Sequence, residues 1–181
     1  VVGVVSADVG LGLPDFRASE RVFQTLCQVA GRAGRGTEDG KVIIQTYQPD
    51  HYAIKTAATQ NYQSFFDIES MNRRNHVQPP YSKIIRLLRQ DVDDISGQRE
   101  AKQLAKLLEE QRQIWGLSDT EILGPTQAFP SRVRGRYRWQ LILRGPNPRT
   151  LLETISLPGV SDERRSVKRG WVLDVDSYLS I

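Results

Sequence analysis

Two consecutive prolines, Pro79-Pro80, constrain this 181-residue chain more than any other feature. A proline has no backbone N–H to give to a helix or a sheet, and it pushes the residue before it out of the helical region. No regular element can run through the pair. It therefore divides the chain into segments 1–80 and 81–181, and the hydrophobic periodicity differs on the two sides.

Before the prolines, Val1 to Val5 is a nearly continuous apolar run that suits a strand buried on both faces of a parallel sheet. The stretch Asp8-Val9-Gly10-Leu11-Gly12-Leu13-Pro14-Asp15 reads as a loop at that strand's end. Val22, Phe23, Leu26, Val29 and Ala30 then recur at helical spacing and predict a helix over 18–33, with Asp15 or Ser19 as its cap and Gly31, Gly34 and Gly36 at its end. The β-branched run 41–47 predicts a second strand, so residues 1–47 read as a β-α-β unit. A helical stretch over 50–75 follows, broken near Asn61, with Tyr62, Phe65, Phe66, Ile68 and Met71 as its apolar side.

After the prolines, strands are expected over 81–89, 121–123, 137–144 and 171–175. Helices are expected over 97–115, with Ala101, Leu104, Ala105, Leu108 and Trp115 on one stripe, and over 148–157. The order β-α-β-β-α-β is that of a ferredoxin-like split fold.

Charge separates along the same boundary. Residues 1–80 hold 8 basic and 8 acidic side chains, whereas residues 81–181 hold 17 and 13, so the whole net charge of +4 lies in the second segment. Between Glu121 and Glu153 there are six arginines and no acid, which points to an anionic partner. In Arg132-Val133-Arg134-Gly135-Arg136-Tyr137-Arg138-Trp139-Gln140 a period of two places Arg132, Arg134, Arg136, Arg138 and Gln140 on one side of an extended segment, with Tyr137 and Trp139 on the other. Such a row either grips phosphates or carboxylates, with strong salt dependence, or is a solvated sheet face. Arg164, Arg165, Lys168 and Arg169 form a second basic cluster, a loop or a solvated turn.

The other functional classes thin out quickly. A lone Cys27 cannot form an internal disulfide and reads as a small buried apolar side chain. With only His51 and His76 beside it, a structural zinc site lacks ligands. No apolar run reaches the ~18 residues of a membrane span, so a soluble, cytoplasmic chain is expected. It opens on Val1 instead of Met, and a fragment of a longer protein is expected.

Residues Gln28-Val29-Ala30-Gly31-Arg32-Ala33-Gly34-Arg35 are the most informative stretch. On a helix, positions 28, 32 and 35 fall within roughly 60° of one another, so one amide and two guanidiniums share a face. Gly31 and Gly34 leave bare surface beside them. An arginine held this way can neutralise charge on a transferring phosphoryl group; equally, Arg32 and Arg35 can simply favour the dipole at a helix end.

This stretch resembles the Q-x-x-G-R-x-G-R arginine motif of superfamily 2 helicases, and 8–18 resembles the motif before it. With Val42-Ile43-Ile44-Gln45-Thr46-Tyr47, Gly135-Arg136-Tyr137-Arg138-Trp139-Gln140 and Trp171-Val172-Leu173-Asp174-Val175-Asp176, the chain is similar almost end to end to the C-terminal part of the primosomal protein N′ (PriA) family of bacterial replication-restart helicases. The resemblance implies a partial RecA-like second lobe followed by an α+β ferredoxin-like (S10-like) binding domain. It implies that Gln28, Arg32 and Arg35 face ATP bound to the other lobe, with Gly10, Asp15, Gly31 and Gly34 as neighbouring positions on that side and in the coupling loop. It also implies contact of the C-terminal domain with branched and single-stranded DNA, with other primosome proteins, and with the acidic tail of single-stranded DNA-binding protein, for which Arg136 and Gln140 match the family positions.

The family's phosphate-binding G-x-x-x-x-G-K-[ST] loop, its magnesium-binding acidic box and its cysteine-rich zinc insertion do not occur here. Gly40-Lys41 fails the pattern, since Arg35 stands at the first glycine and Val42 replaces the Ser or Thr. ATP, magnesium and zinc are therefore expected of an intact parent, and this chain alone is not expected to hydrolyse ATP. A competing reading is a non-catalytic adaptor for nucleic acid or the acidic tail that keeps a lobe remnant as scaffold.

Overall fold

In the computed structural model residues 1–33, 41–155 and 171–175 are described, and the chain divides into two units, Val1–His76 and Val77–Ile181. The architecture is mixed α/β, with a two-stranded parallel sheet and a four-stranded antiparallel one.

In the first unit, strand β1 (Val2–Val4) pairs in parallel with β2 (Val42–Ile44), Val4 opposite Ile44. Both strands are shorter than expected, and Val1, Val2 and Val5 are exposed, so the expected burial on both faces is not found. The reason is the number of layers: helix α2 (Ala18–Ala33) packs beside Val4 and Ile44, and a two-stranded sheet has too little surface to be enclosed on its other side. The expected loop over 8–15 contains a short helix, α1 (Asp8–Leu11). Gly10 is what lets α1 approach α2, since a Cβ there would meet Val22 Cγ2 at 2.5 Å. Asp8 ties this turn to the end of β2, accepting hydrogen bonds from Thr46 Oγ1 at 2.8 Å and the Tyr47 amide.

The break expected near Asn61 separates α3 (Tyr52–Ala58) from α4 (Tyr62–Asn75). Asn61 caps α4 by accepting from the Ser64 amide at 2.9 Å. The core joins Val22, Phe23 and Leu26 of α2 to Ala53, Ile54 and Ala57 of α3 and Phe65 of α4, with Phe23 and Phe65 stacked at 4.2 Å. Of the apolar side expected on α4, only Phe65 is buried; Tyr62, Phe66 and Met71 are exposed, because α4 meets its neighbours along one narrow line. Cys27 is half-buried against this core, and burial pushes its thiol pKa up.

In the second unit, β3 (Lys83–Asp91) and β5 (Arg136–Gly145) form the centre of the sheet, flanked by β4 (Glu121–Val133) and β6 (Trp171–Val175) in the order β4-β5-β3-β6. All three pairings are antiparallel. Helix α5 (Asp94–Ile114), capped by Asp93 on the Ser96 amide, lays Leu104 and Leu108 on Ile85, Leu87, Leu141 and Leu143, with Leu151 of α6 (Arg149–Glu153) completing the layer. Trp115, expected on the buried stripe, instead stands exposed at the end of α5, its indole N–H donating to Gln111.

The largest departure is β4, which runs ten residues past the expected end at 123. Gly124, Pro125 and Pro130 argue against a strand there, and a central strand could not hold them. β4 is an edge strand, however, and its register shifts between Leu123 and Thr126 and again between Gln127 and Arg132, so the prolines fall where no ladder bond is required.

Candidate functional site

The first candidate surface is the far side of α2. Its core face centres on Leu26, and at about 100° per residue Gln28 and Arg32 lie some 120–160° around the helix from it. Both are exposed, and a Cβ built on Gly31 would meet nothing within 4 Å, so an amide, a guanidinium and a bare patch of backbone face outward together. Gly34 and Arg35 lie outside the described residues. Asp15 is placed differently from these: its side chain is only 2% exposed and pairs with Arg21 at 3.0 Å, while its other oxygen accepts the Arg17 amide at 2.9 Å. Asp15 thus shapes the turn into α2, and Gly10 serves helix packing.

Nearer the start of α2 a polar network joins it to α4. Arg73 donates to Glu69 at 2.7 Å and to Glu20 at 2.7 Å, and Tyr52 donates its hydroxyl to Glu69 at 2.5 Å. Burial disfavours the Arg73 cation, but its two carboxylate partners outweigh that and raise its pKa. Arg73 also lies over the Phe16 ring at 5.2 Å, in the turn that leads into α2.

The second candidate surface is the acid-free stretch, and here the expected single row of arginines is overturned. Residues 132–140 are not one extended segment. Arg134 and Gly135 are the two-residue turn of a hairpin, with φ of 49° and 78°, the positive pair that a type I′ turn requires. The chain reverses, so Arg132 lies opposite Tyr137 and Val133 opposite Arg136. Directly opposed residues share a face. Arg132 therefore sits on the aromatic side, its guanidinium 4.8 Å from the Tyr137 ring centre, while Arg136, Arg138 and Gln140 keep to the other side and Arg134 stands at the tip.

Along β5 these last three differ sharply. Arg136 is exposed, Arg138 is half-buried and donates to the Pro130 carbonyl at 2.9 Å, and Gln140 is only 5% exposed. Arg136 and Gln140 are separated by four residues of strand, about 13 Å at 3.3 Å per residue, so they do not converge on one small group. Arg144 of the same face is paired with Glu121. Trp139, on the opposite face, packs over Gly97 and donates to Asp94 at 2.8 Å, which commits it to structure.

Two residues escaped the sequence reading. Arg86 of β3 shares the Arg138 and Gln140 face, opposite Ile142 on one side and Asp174 on the other. Burial depresses its pKa, the Asp174 carboxylate 3.8 Å away opposes this, and the positive charge of Arg138 adds to the depression. Its signal was an arginine set between the apolar pairs Ile84-Ile85 and Leu87-Leu88. Phe129 is the other, an apolar side chain between Gln127 and Arg132 that is 62% exposed. Arg164, Arg165, Lys168 and Arg169 lie outside the described residues.

Among the described residues no three His, Cys, Asp or Glu side chains gather as a metal site, and no helix is long and apolar enough to cross a membrane. A family model, the primosomal protein N C-terminal domain, matches residues 74–178. The chain belongs to the PriA family. Among PriA relatives, each named replication restart protein PriA, that of Synechocystis sp. is 43% identical over 147 residues, 81% of this chain and 17% of the relative. That of Bacillus subtilis is 40% identical over 144 residues, 80% of this chain and 17% of the relative. That of Haemophilus influenzae is 34% identical over 176 residues, 97% of this chain and 24% of the relative. The chain thus spans about a fifth of the length of the PriA proteins it matches. The family model covers the unit that holds the basic hairpin, and the Haemophilus match extends over nearly all of the chain, the arginine-bearing helix included.

Proposed function

We propose that this chain is the part of an ATP-dependent 3′-to-5′ DNA helicase that supplies an arginine motif from a RecA-like second lobe and a C-terminal binding domain, and that the parent restarts replication by recognising stalled or branched forks and promoting primosome assembly. Family membership supports the role in replication restart. The observation that carries the catalytic half is the α2 surface, where Gln28 and Arg32 project from the side opposite the core beside the open backbone of Gly31. That is the arrangement an arginine finger needs: a permanently charged group on a rigid element, pointing away from its own fold towards a nucleotide held elsewhere. ATP and magnesium would be bound by the parent's phosphate loop and acidic box, and zinc by its cysteines. Arg35 and Gly34 complete the motif in sequence.

The β4-β5-β3-β6 order with α5 and α6 on one face supports the ferredoxin-like reading of the second unit, since the two crossovers then interleave as a split β-α-β pair. The acid-free hairpin supports a polyanionic partner, forked or single-stranded DNA. The basic face of β5, with Arg136 exposed at the hairpin end and Arg138 next along the same face, suits the acidic tail of single-stranded DNA-binding protein.

The test uses the intact parent enzyme. Arg32→Ala should reduce DNA-stimulated ATP turnover by about 10³-fold or more, the range of arginine fingers, while nucleotide affinity stays within a factor of two or so. Unchanged turnover would rule the finger out.

A further inference from the structure

We infer that the β4 excursion is a base-stacking contact for unpaired nucleic acid, in which Phe129 stacks on a base, Arg132, Arg134 and Arg136 hold the adjoining phosphates, and Arg138 is the positioning residue. This rests on the reading of the second unit as a DNA-binding domain and assigns the contact within it.

The excursion is a defined structure. Between the pairs Gln127 with Trp139 and Arg132 with Tyr137, β4 has four residues where β5 has one, Arg138. The surplus loops outward, and two anchors hold its base. Ala128 is buried, and Arg138 donates from Nη1 to the Pro130 carbonyl at 2.9 Å. Phe129 lies between these anchors and is 62% exposed. A phenyl ring displayed to water from a braced support has little freedom left to lose on binding, which favours a stacking contact.

What adjoins Phe129 along the chain selects the partner. Arg132, Arg134 and Arg136 are all exposed within seven residues of it, and no acid occurs between Glu121 and Glu153. Arg134 occupies the left-handed turn position, at φ 49°, where glycine or asparagine would sit with less strain. A polyanion that also offers flat apolar faces matches both halves of this surface. Unpaired bases on a phosphate backbone have that composition, and every base has a face on which an aromatic ring can stack. The other aromatics of the hairpin are committed elsewhere, Tyr137 beneath Arg132 and Trp139 over Gly97.

Binding of the 181-residue chain to a fork with one single-stranded arm, measured by anisotropy across a salt series, tests this. Phe129→Ala should weaken binding about 5- to 150-fold, the range for losing one stacked base, with the salt slope unchanged and Phe129→Trp restoring affinity. Replacing Arg132, Arg134 and Arg136 together by glutamine should lower the salt slope by about 2, at about 0.7 per phosphate on a single strand. Arg138→Gln should mimic Phe129→Ala without changing the slope. If the arginine variant loses affinity and Phe129→Ala does not, the stacking assignment is overturned and the DNA-binding reading stands. If neither matters, that reading falls with it. Should Phe129→Ala instead weaken an acidic peptide and leave DNA unaffected, the ring serves a protein partner and the proposal is wrong.

Discussion

Arg73 ties α4 to α2 through two carboxylates and the Phe16 ring, and Arg73→Ala measures what that tie is worth. Glu69 is only 7% exposed, and its two oxygens are satisfied by Arg73 at 2.7 Å and Tyr52 at 2.5 Å. Removing Arg73 leaves a buried carboxylate without its counter-charge, and breaking such a pair costs about 3–5 kcal/mol. The second bond, to Glu20, contributes less, because that carboxylate is about a third exposed and water replaces the lost donor. Loss of the Phe16 contact adds roughly 0.5 kcal/mol. The expected total is about 4 kcal/mol. Urea denaturation followed by far-UV circular dichroism gives the loss, and hydrogen exchange of the α2 and α4 amides locates it. Fluorescence will not, since Trp115, Trp139 and Trp171 all belong to the other unit. Adding Glu69→Gln removes the stranded charge while leaving an acceptor for Tyr52, so the double variant should recover about 1–2 kcal/mol relative to Arg73→Ala. A loss below about 1 kcal/mol, the worth of an exposed surface pair, would show that the network does not behave as a buried one.

Burial, joined by the hydrogen bond to Glu69 and that carboxylate's charge, pushes the Tyr52 pKa up to about 12. Since the folded value exceeds the unfolded value of about 10, this stabilisation is complete below pH ~10 and disappears as the pH rises through ~12; tyrosinate absorbance should show a late-ionising step that Tyr52→Phe abolishes. Gly10→Val should destabilise the first unit by about 1–3 kcal/mol, an overpacking cost, since even a Cβ would press on Val22 Cγ2, and a thermal melt within error of the parent chain would contradict the close approach of α1. Arg134→Gly should raise stability by roughly 0.5–1 kcal/mol, the strain relieved less the entropy that glycine loses, while reducing the salt dependence of DNA binding; stability without that reduction would mean Arg134 touches no phosphate.

Much of the secondary structure could be read from the chain because it follows from local rules. The break at Asn61 needed only a capping side chain and the loss of period, and α5 followed from Ala101, Leu104 and Leu108 at helical spacing. The outward position of Gln28 and Arg32 on α2 could be read too, because helical phase alone sets which described residues lie beside Gln28. The arginine row of 132–140 could not. Its alternation was equally compatible with one strand or with two joined by Arg134-Gly135, and only pairing with a second strand decides between them.

The composition and order of residues were sufficient to separate a neutral segment from a basic one, to place a helix carrying Gln28 and Arg32, and to leave the six arginines of 122–152 without a compensating acid. These are properties of local spacing and of charge counts, which folding does not alter. Tertiary structure decided the rest. It set Arg132 over Tyr137 and Arg136 on the other face, buried Gln140, and locked Asp15 onto Arg21. It also made an edge strand of a proline-containing stretch and left Phe129 in water. Each depends on which distant segment comes to lie alongside, and register, burial and edge position are properties of pairs of elements that no single stretch of chain contains.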